Sequence, residues 1–188
     1  GGDLLDGGPG FDGVTYAGSE SNVLIDLSVG LFTNDAFGDV FTSIEQYEGS
    51  VFNDTLLGTA ATDRFYGLAG DDVLDGRDGD DVLEGGPGAD QISGGAGFDI
   101  TSYWRSVPGV QVNLQTKSAT GGDAEGDVLS GIEGLEGSRF DDTLTGDANA
   151  NRIFGGKGID TINASSGDDL VHGGGSRFKD SPDAIPPA

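Results

Sequence analysis

Acidic side chains recur through this chain at an interval of nine. Units beginning at Gly7, Gly49, Gly58, Gly67, Gly76, Gly85, Gly94, Gly137, Gly146, Gly155 and Ala164 carry Asp12, Asp54, Asp63, Asp72, Asp81, Asp90, Asp99, Asp142, Asn151, Asp160 and Asp169 at the sixth position, an Asp in ten of the eleven. A carboxylate is a hard oxygen donor. Softer donors are almost missing, since there is no Cys and His172 is the single imidazole. A thiolate site, a three-ligand zinc site and a Ser/His/Asp triad therefore have nothing to be built from. The eighth position is apolar in ten of the eleven units, with Thr101 the exception, and Gly concentrates at the first, second and fourth.

These positions divide the unit into a six-residue turn and a three-residue strand. Gly lets the turn take positive φ and aim its peptide groups at one point. Triplets such as 73–75 (VLD) and 82–84 (VLE) are β-prone, and their eighth-position side chain points opposite to its two neighbours. The density of Gly excludes a helix. Two units close a coil of 18 residues, and coils stack about 4.8 Å apart through parallel ladders. Stacking sets each sixth-position Asp beside that of the unit two further on. Two carboxylates ~4.8 Å apart repel by roughly 3 to 4 kcal/mol at an effective dielectric of ~20, so a cation must sit between them. Carboxylates and turned-in carbonyls, with no nitrogen or sulfur donor, are the set that Ca2+ selects.

The phased pattern G-G-x-G-x-D-x-U-x, as in 67–75 (GLAGDDVLD), 76–84 (GRDGDDVLE), 85–93 (GGPGADQIS) and 94–102 (GGAGFDITS), resembles the RTX, or haemolysin-type, calcium-binding nonapeptide. The resemblance implies an all-β solenoid, a parallel β-roll or β-helix with Ca2+ between stacked turns. It further implies that one turn gives the carbonyls of its second and fourth positions plus its Asp. The turn two units on gives the carbonyls of its first and third positions plus its Asp. Carried onto this chain, Leu68, Gly70 and Asp72 face Gly85, Pro87 and Asp90, while Arg77, Gly79 and Asp81 face Gly94, Ala96 and Asp99. Thr59, Ala61 and Asp63 face Gly76, Asp78 and Asp81; Ser50, Phe52 and Asp54 face Gly67, Ala69 and Asp72. In the second block Ser138, Phe140 and Asp142 face Gly155, Lys157 and Asp160. Phe52 and Phe140 depart from the pattern, standing where Gly is preferred. The site joining Asn149 and Asn151 to Ala164, Ser166 and Asp169 lacks one carboxylate. That joining Gly156, Gly158 and Asp160 to the Gly173 turn lacks the second Asp, so both are expected to be weak or empty.

Between the repeats lie two stretches that match each other. Both begin Tyr-x-x-Ser (Tyr16, Ser19; Tyr103, Ser106) and run through an alternating strand (Val23, Ile25, Leu27; Val110, Val112, Leu114). Both then pass Gly-Asp-Val at 38–40 and 126–128 and Ile-Glu at 44–45 and 132–133. The chain is thus a tandem duplication, organised as N-terminal units 1–15, a first insert 16–48, six nonapeptides 49–102, a second insert 103–136, a second block 137–175 and a Pro-rich tail 176–188 expected to be disordered. The inserts read as wider coils continuing the stack.

With 33 Asp and Glu against 9 Lys and Arg, the net charge of −24 excludes nucleic acid and bare anionic membrane as partners, and no apolar run is long enough for a membrane span. With Met absent, the chain reads as a piece of a larger protein. Asp26, Asp39, Asp123 and Asp127 read as solvated or turn-capping rather than as further metal ligands. Tyr103, Trp104 and Arg105 read as packing between coil types, with a sugar-stacking platform as the alternative. Acid pairs suited to glycoside hydrolysis are too abundant to inform, and the chain is expected not to be an enzyme. The expected function is a calcium-binding module of a secreted, extracellular or cell-surface protein, handled by a type I secretion apparatus and folding on calcium outside the cell. The alternatives are adhesion to a surface glycan or protein through insert aromatics (Tyr16, Phe32, Phe37, Tyr103, Trp104), or an accessory domain of a polysaccharide-modifying enzyme or protease.

Overall fold

The computed structural model describes residues 2–174; the tail 176–188 and the last residue of the second block lie outside them. Each triplet ending a nonapeptide forms a short strand, because alternation turns its eighth-position side chain inward while the Gly-rich turn reverses the chain. Leu56, Phe65, Leu74, Leu83, Leu144 and Ile153 are completely buried. Strand partners within a block are 18 residues apart, as in Leu83 beside Phe65 and Leu74 beside Ile92. The fold is a parallel β-roll whose core is two facing rows of eighth-position side chains.

One face is a parallel sheet of eight strands among the described residues: Gly13–Thr15, Gln46–Glu48, Arg64–Tyr66, Val82–Glu84, Ile100–Ser102, Gly134–Glu136, Arg152–Phe154 and Leu170–His172. The other face is divided by the inserts. In the second insert, Gln111–Asn113 pairs forward with Thr143–Thr145, and Val128–Ser130 pairs back with Gln91–Ala96. The first insert repeats this: Leu24–Asp26 pairs forward with Thr55–Leu57, and Val40–Thr42 pairs back with Leu4–Asp6. A single three-residue 3-10 turn lies in each, Asn34–Ala36 and Gly122–Ala124.

The inserts do continue the stack, but not as purely parallel coils. Each contains an antiparallel pair, Leu24–Asp26 with Leu31–Phe32 and Gln111–Asn113 with Ser118–Thr120. The reversal is local: Gly30 at φ 66° and Lys117 at φ 56° supply the left-handed residue that a tight connection needs. In the first insert an edge-to-face aromatic run, Phe32 to Phe41 at 5.0 Å, Phe41 to Tyr47 at 5.4 Å and Tyr47 to Phe65 at 6.0 Å, leads into the inner row. Phe32 is spent on that packing.

Burial per strand is small, so each inward residue carries a large share of the roll's stability. Leu74→Ala is expected to cost about 2–5 kcal/mol by leaving a cavity in the row. Val128→Ala, at a strand position 59 % exposed, should change stability by no more than about 0.5 kcal/mol. Denaturant titration of the two variants at saturating calcium measures the contrast.

Candidate metal centre

The six-residue turns stack along the two edges of the roll, alternate units on opposite edges, since 67–72 leads from one sheet to the other and 76–81 leads back. In turns 67–72 and 76–81 the second position is non-glycine yet left-handed, with Leu68 at φ 78° and Arg77 at φ 73°, and Gly70 and Gly79 follow at φ 127° and 122°. This flips the peptide groups so that the carbonyls of Leu68 and Gly70 face Gly86 and Gly88, and those of Arg77 and Gly79 face Gly95 and Gly97. A Cβ at any of those four glycines would overlap the facing oxygen. Carbonyls also project the other way. Gly85 and Gly94 direct theirs at Gly67 and Gly76, and Pro87 and Ala96 accept from the amides of Gly70 and Gly79 at 3.1 and 2.9 Å. Leu68, Gly70 and Asp72 are thus brought against Gly85, Pro87 and Asp90, and Arg77, Gly79 and Asp81 against Gly94, Ala96 and Asp99.

The sixth-position carboxylates form a ladder beside these carbonyls on each edge, Asp54, Asp72 and Asp90 on one and Asp63, Asp81 and Asp99 on the other. One oxygen of each accepts a backbone amide from the turn two units earlier: Asp54 to Asp72 at 2.7 Å, Asp63 to Asp81 at 2.7 Å, Asp72 to Asp90 at 2.8 Å and Asp81 to Asp99 at 2.9 Å. The other oxygen of Asp72, Asp81, Asp90 and Asp99 is buried and has no donor, and the same holds for Asp12 and Asp160. First-position Gly is needed for this geometry, since a Cβ at Gly67, Gly76, Gly85 or Gly155 would overlap that oxygen. Burial, reinforced by neighbouring carboxylates, pushes Asp72 and Asp81 up to about 7, Asp90 to about 8 and, with Glu133 as the neighbour, Asp99 to about 6. An orphaned anionic oxygen in a carbonyl-lined turn is chemically suited to a hard cation. Among the described residues no three His, Asp or Glu side chains converge with metal-holding geometry, so backbone carbonyls must complete any coordination shell.

Four turns are closed by their own side chains and amides. Ser50 donates its amide to Asp54 and its hydroxyl at 2.8 Å. Thr59 gives Asp63 its amide at 2.7 Å and its hydroxyl at 3.0 Å, and Ser138 gives Asp142 the same pair at 2.6 and 2.8 Å. Asn151 accepts the amide of Asp147 at 2.8 Å. Burial still raises Asp54, Asp63 and Asp142, but these donors pull them back. Phe52, Ala61 and Phe140 keep their backbones against Gly70, Gly79 and Gly158. Lys157 donates its amide to the Ser138 carbonyl at 3.1 Å, and Asp169 accepts from Asn151 at 2.9 Å.

A family model described as the RTX calcium-binding nonapeptide repeat matches the chain in four copies, at residues 48–83, 69–100, 122–162 and 145–177, together more than half of its length. The chain belongs to the RTX calcium-binding nonapeptide repeat family. No curated protein sequence matches it. Family membership and the parallel roll make this a calcium-binding β-roll module, with calcium as the ion that RTX repeats bind.

Several residues of this RTX roll do more than their repeat position suggests. Asp26, Asp39 and Asp127 are buried rather than solvated. Asp26 pairs with Arg77 at 3.0 Å. Asp127 accepts the Asp90 amide and the Tyr103 hydroxyl, both at 2.9 Å, and Asp39 accepts the Asp3 amide and the Tyr16 hydroxyl at 2.8 and 2.5 Å. Glu133 and Glu45 accept the amides of Asp99 and Asp12 at 3.0 and 3.1 Å. Sequence reasoning missed these four acids as members of the ladder, although Gly-Asp-Val and Ile-Glu recur in both inserts. A further ladder runs through the fifth position, where Asp71, Asp80 and Asp141 accept the amides of Ala89, Phe98 and Ile159.

The insert aromatics are not an open platform. Tyr103 is 2 % exposed and Trp104 8 %, and Tyr16 is likewise buried. Arg139 lies over Trp104 at 5.1 Å, and Arg105 over Tyr66 at 4.3 Å while reaching Glu84 at 3.3 Å. Tyr103 and Trp104 pack between coil types as expected, and the alternative of recognition anchors in Tyr16, Phe32, Phe37, Tyr103 and Trp104 fails for most of them, because the coil transition needs their bulk as packing. Only Phe37 of that set stands open. His172 is exposed and meets Phe154 edge-on at 6.0 Å.

Raised carboxylate pKa values give a signed pH dependence. In the metal-free roll Asp72, Asp81, Asp90 and Asp99 hold protons up to about 6 to 8, well above their ordinary value of 3.8. The stability they add is therefore complete below about pH 4 and is lost as pH climbs through that window. Calcium-depleted chain should gain β signal in circular dichroism between pH 8 and pH 5, and calcium affinity should rise with pH across the same range. Tyr103→Phe, which removes a buried donor from Asp127, should cost about 1–3 kcal/mol and leave the number of bound calcium ions unchanged, as calorimetric titration would report.

Proposed function

We propose that this chain is the calcium-dependent folding module of a secreted bacterial protein, exported unfolded by a type I secretion apparatus and rolled up outside the cell. The observation that carries the reading is the row of buried, donorless oxygens on Asp72, Asp81, Asp90 and Asp99. Without a cation, ordering these turns buries mutually repelling carboxylates and freezes a Gly-rich backbone. A bound ion supplies the missing positive charge, so metal binding and folding become one event. A compartment poor in calcium keeps such a chain unfolded, and one rich in calcium folds it, which suits export in the unfolded state. Among the described residues no helix is long and apolar enough to cross a membrane.

On this reading the chain itself is non-catalytic. Its acids serve backbone amides and a cation rather than substrate, and any catalytic part belongs to another region of the parent protein. Adhesion through the inserts is the weaker reading, since most of the aromatics that would anchor a glycan are buried.

Far-UV circular dichroism at pH 7.5 tests the coupling. The chain should be largely disordered in chelator and become β-rich in millimolar calcium. Magnesium should not substitute, because it resists exchanging its waters for many carbonyl ligands. A complete β spectrum in chelator would falsify the coupling.

A further inference from the structure

The nonapeptide pairing rule runs out where a block meets an insert. Asp99 belongs to the last unit of its block, and no nonapeptide stands two units beyond it. The structure nevertheless closes the turn from the other side. The Asp99 amide donates to Glu133 at 3.0 Å, the bond that inside the block runs from Asp81 to Asp99 at 2.9 Å and from Asp72 to Asp90 at 2.8 Å. The amides of Glu133 and Gly134 both donate to the Asp99 carbonyl, at 3.0 and 2.8 Å. The Gly131 carbonyl faces Gly94 closely enough that a Cβ there would overlap it, as the Gly94 carbonyl faces Gly76. Asp99 is completely buried, and its second carboxylate oxygen has no donor.

The duplicated half repeats this arrangement with different residues. Asp12 donates its amide to Glu45 at 3.1 Å, and the amides of Glu45 and Gln46 return to the Asp12 carbonyl at 3.1 Å each. The Ser43 carbonyl faces Gly7, and the second oxygen of Asp12 is again buried without a donor. Ser43 at φ 52° and Gly131 at φ 58° hold the same left-handed conformation. Side-chain length fits the difference in turn length. The insert reaches its acid two residues after Gly131, where a nonapeptide takes five from Gly94 to Asp99, and Glu is one methylene longer than Asp.

We propose that each block–insert junction is a calcium site of mixed origin, one held by Asp99, Glu133 and the Gly131 carbonyl, the other by Asp12, Glu45 and the Ser43 carbonyl. The neighbouring junction acids are closed differently. Asp39 and Asp127 each take a buried tyrosine hydroxyl on their second oxygen, so those positions need no cation. The inserts therefore do not merely interrupt the calcium ladder; they terminate it with one metal position and one tyrosine position each.

The proposal rests on the calcium-folding reading, and calcium counting on the full chain separates the two. Glu133→Gln and Glu45→Gln keep an amide oxygen that can still accept from Asp99 or Asp12, while removing the charge. At pH 7.5 each single variant should bind one calcium ion fewer per chain, or bind one at least tenfold more weakly, and the double variant should lose two. Its circular dichroism in saturating calcium should remain that of wild type. Asp12→Asn gives an independent reading, because Asp12 takes part in no other site and should also lose one ion. Wild-type stoichiometry and affinity in folded Glu45→Gln, Glu133→Gln and Asp12→Asn chains would overturn the junction sites and leave the calcium reading standing. A wild-type chain that binds no calcium would overturn both.

Discussion

Everything in this molecule turns on how a buried carboxylate is satisfied at each of the two turns of an eighteen-residue coil. The sixth-position Asp must lie inside the turn to hold the backbone two units away, and its amide-accepting oxygen does that work, as in Asp90 with Asp72 at 2.8 Å. The second oxygen has no room to face water. Its position explains why first-position Gly recurs even where φ is ordinary, since a side chain on Gly76 would overlap the Asp81 carboxylate. The same oxygen drives Asp90 up to about 8 and makes the empty roll electrostatically expensive at neutral pH.

The chain solves this one problem in three chemical ways, and their distribution along the sequence gives the roll its anatomy. In the middle of the first block and at its junction the oxygen is left open, which suits a hard cation. At Asp54 and Asp142 the amide of the second-position Ser reaches it while the Ser hydroxyl joins the first oxygen, and at Asp63 both the amide and the hydroxyl of Thr59 reach it. At Asp39 and Asp127 a tyrosine from the start of the insert does so. Ser and Thr can act only because a non-left-handed second position leaves its amide pointing into the turn. Leu68 and Arg77, at positive φ, turn that amide away and expose the oxygen instead. Backbone conformation at a single residue therefore decides whether a turn's own amide reaches its carboxylate.

Periodicity alone made the roll, its 18-residue register, the two inner rows and the duplication readable from sequence, because a nine-residue unit with Gly and Asp in fixed phase admits few other foldings. The stacking of Asp72 on Asp90 and of Asp81 on Asp99 was readable for the same reason, while the carbonyl partners around them followed only from the resemblance to RTX repeats. Other features were hidden because they break the period. The antiparallel pair of Leu24–Asp26 with Leu31–Phe32 depends on one left-handed Gly30, and nothing in an alternating stretch distinguishes parallel from antiparallel use. Glu45 and Glu133 are separated from their partners by 33 and 34 residues and differ from the repeat's Asp. Tyr16 and Trp104 resembled binding aromatics because composition cannot say which face a wide coil turns inward. Ser50, Thr59 and Ser138 read in sequence only as carbonyl donors, whereas their amides and hydroxyls also bind the Asp of their own turn.

A stack of identical units would in principle fold or melt from either end, each coil coupled only to its neighbours. The inserts change that coupling. Each sends one strand back to the preceding block and another forward to the following one, Val128–Ser130 to Gln91–Ala96 and Gln111–Asn113 to Thr143–Thr145, while Gly134–Glu136 bridges the unbroken face. Order in one block therefore presents a finished edge to the insert, and the insert presents one to the next block. The self-closed turns 49–54 and 137–142 stand immediately after the inserts, with Asp54 and Asp142 accepting the insert amides of Val23 and Val110 at 2.6 and 2.7 Å. Each insert thus docks onto a turn whose Asp is held by its own Ser, and the turns of the first block with open carboxylate oxygens follow it. When calcium folds the chain, an insert and its self-closed turn supply the edge that sets the register of the coils stacked on it.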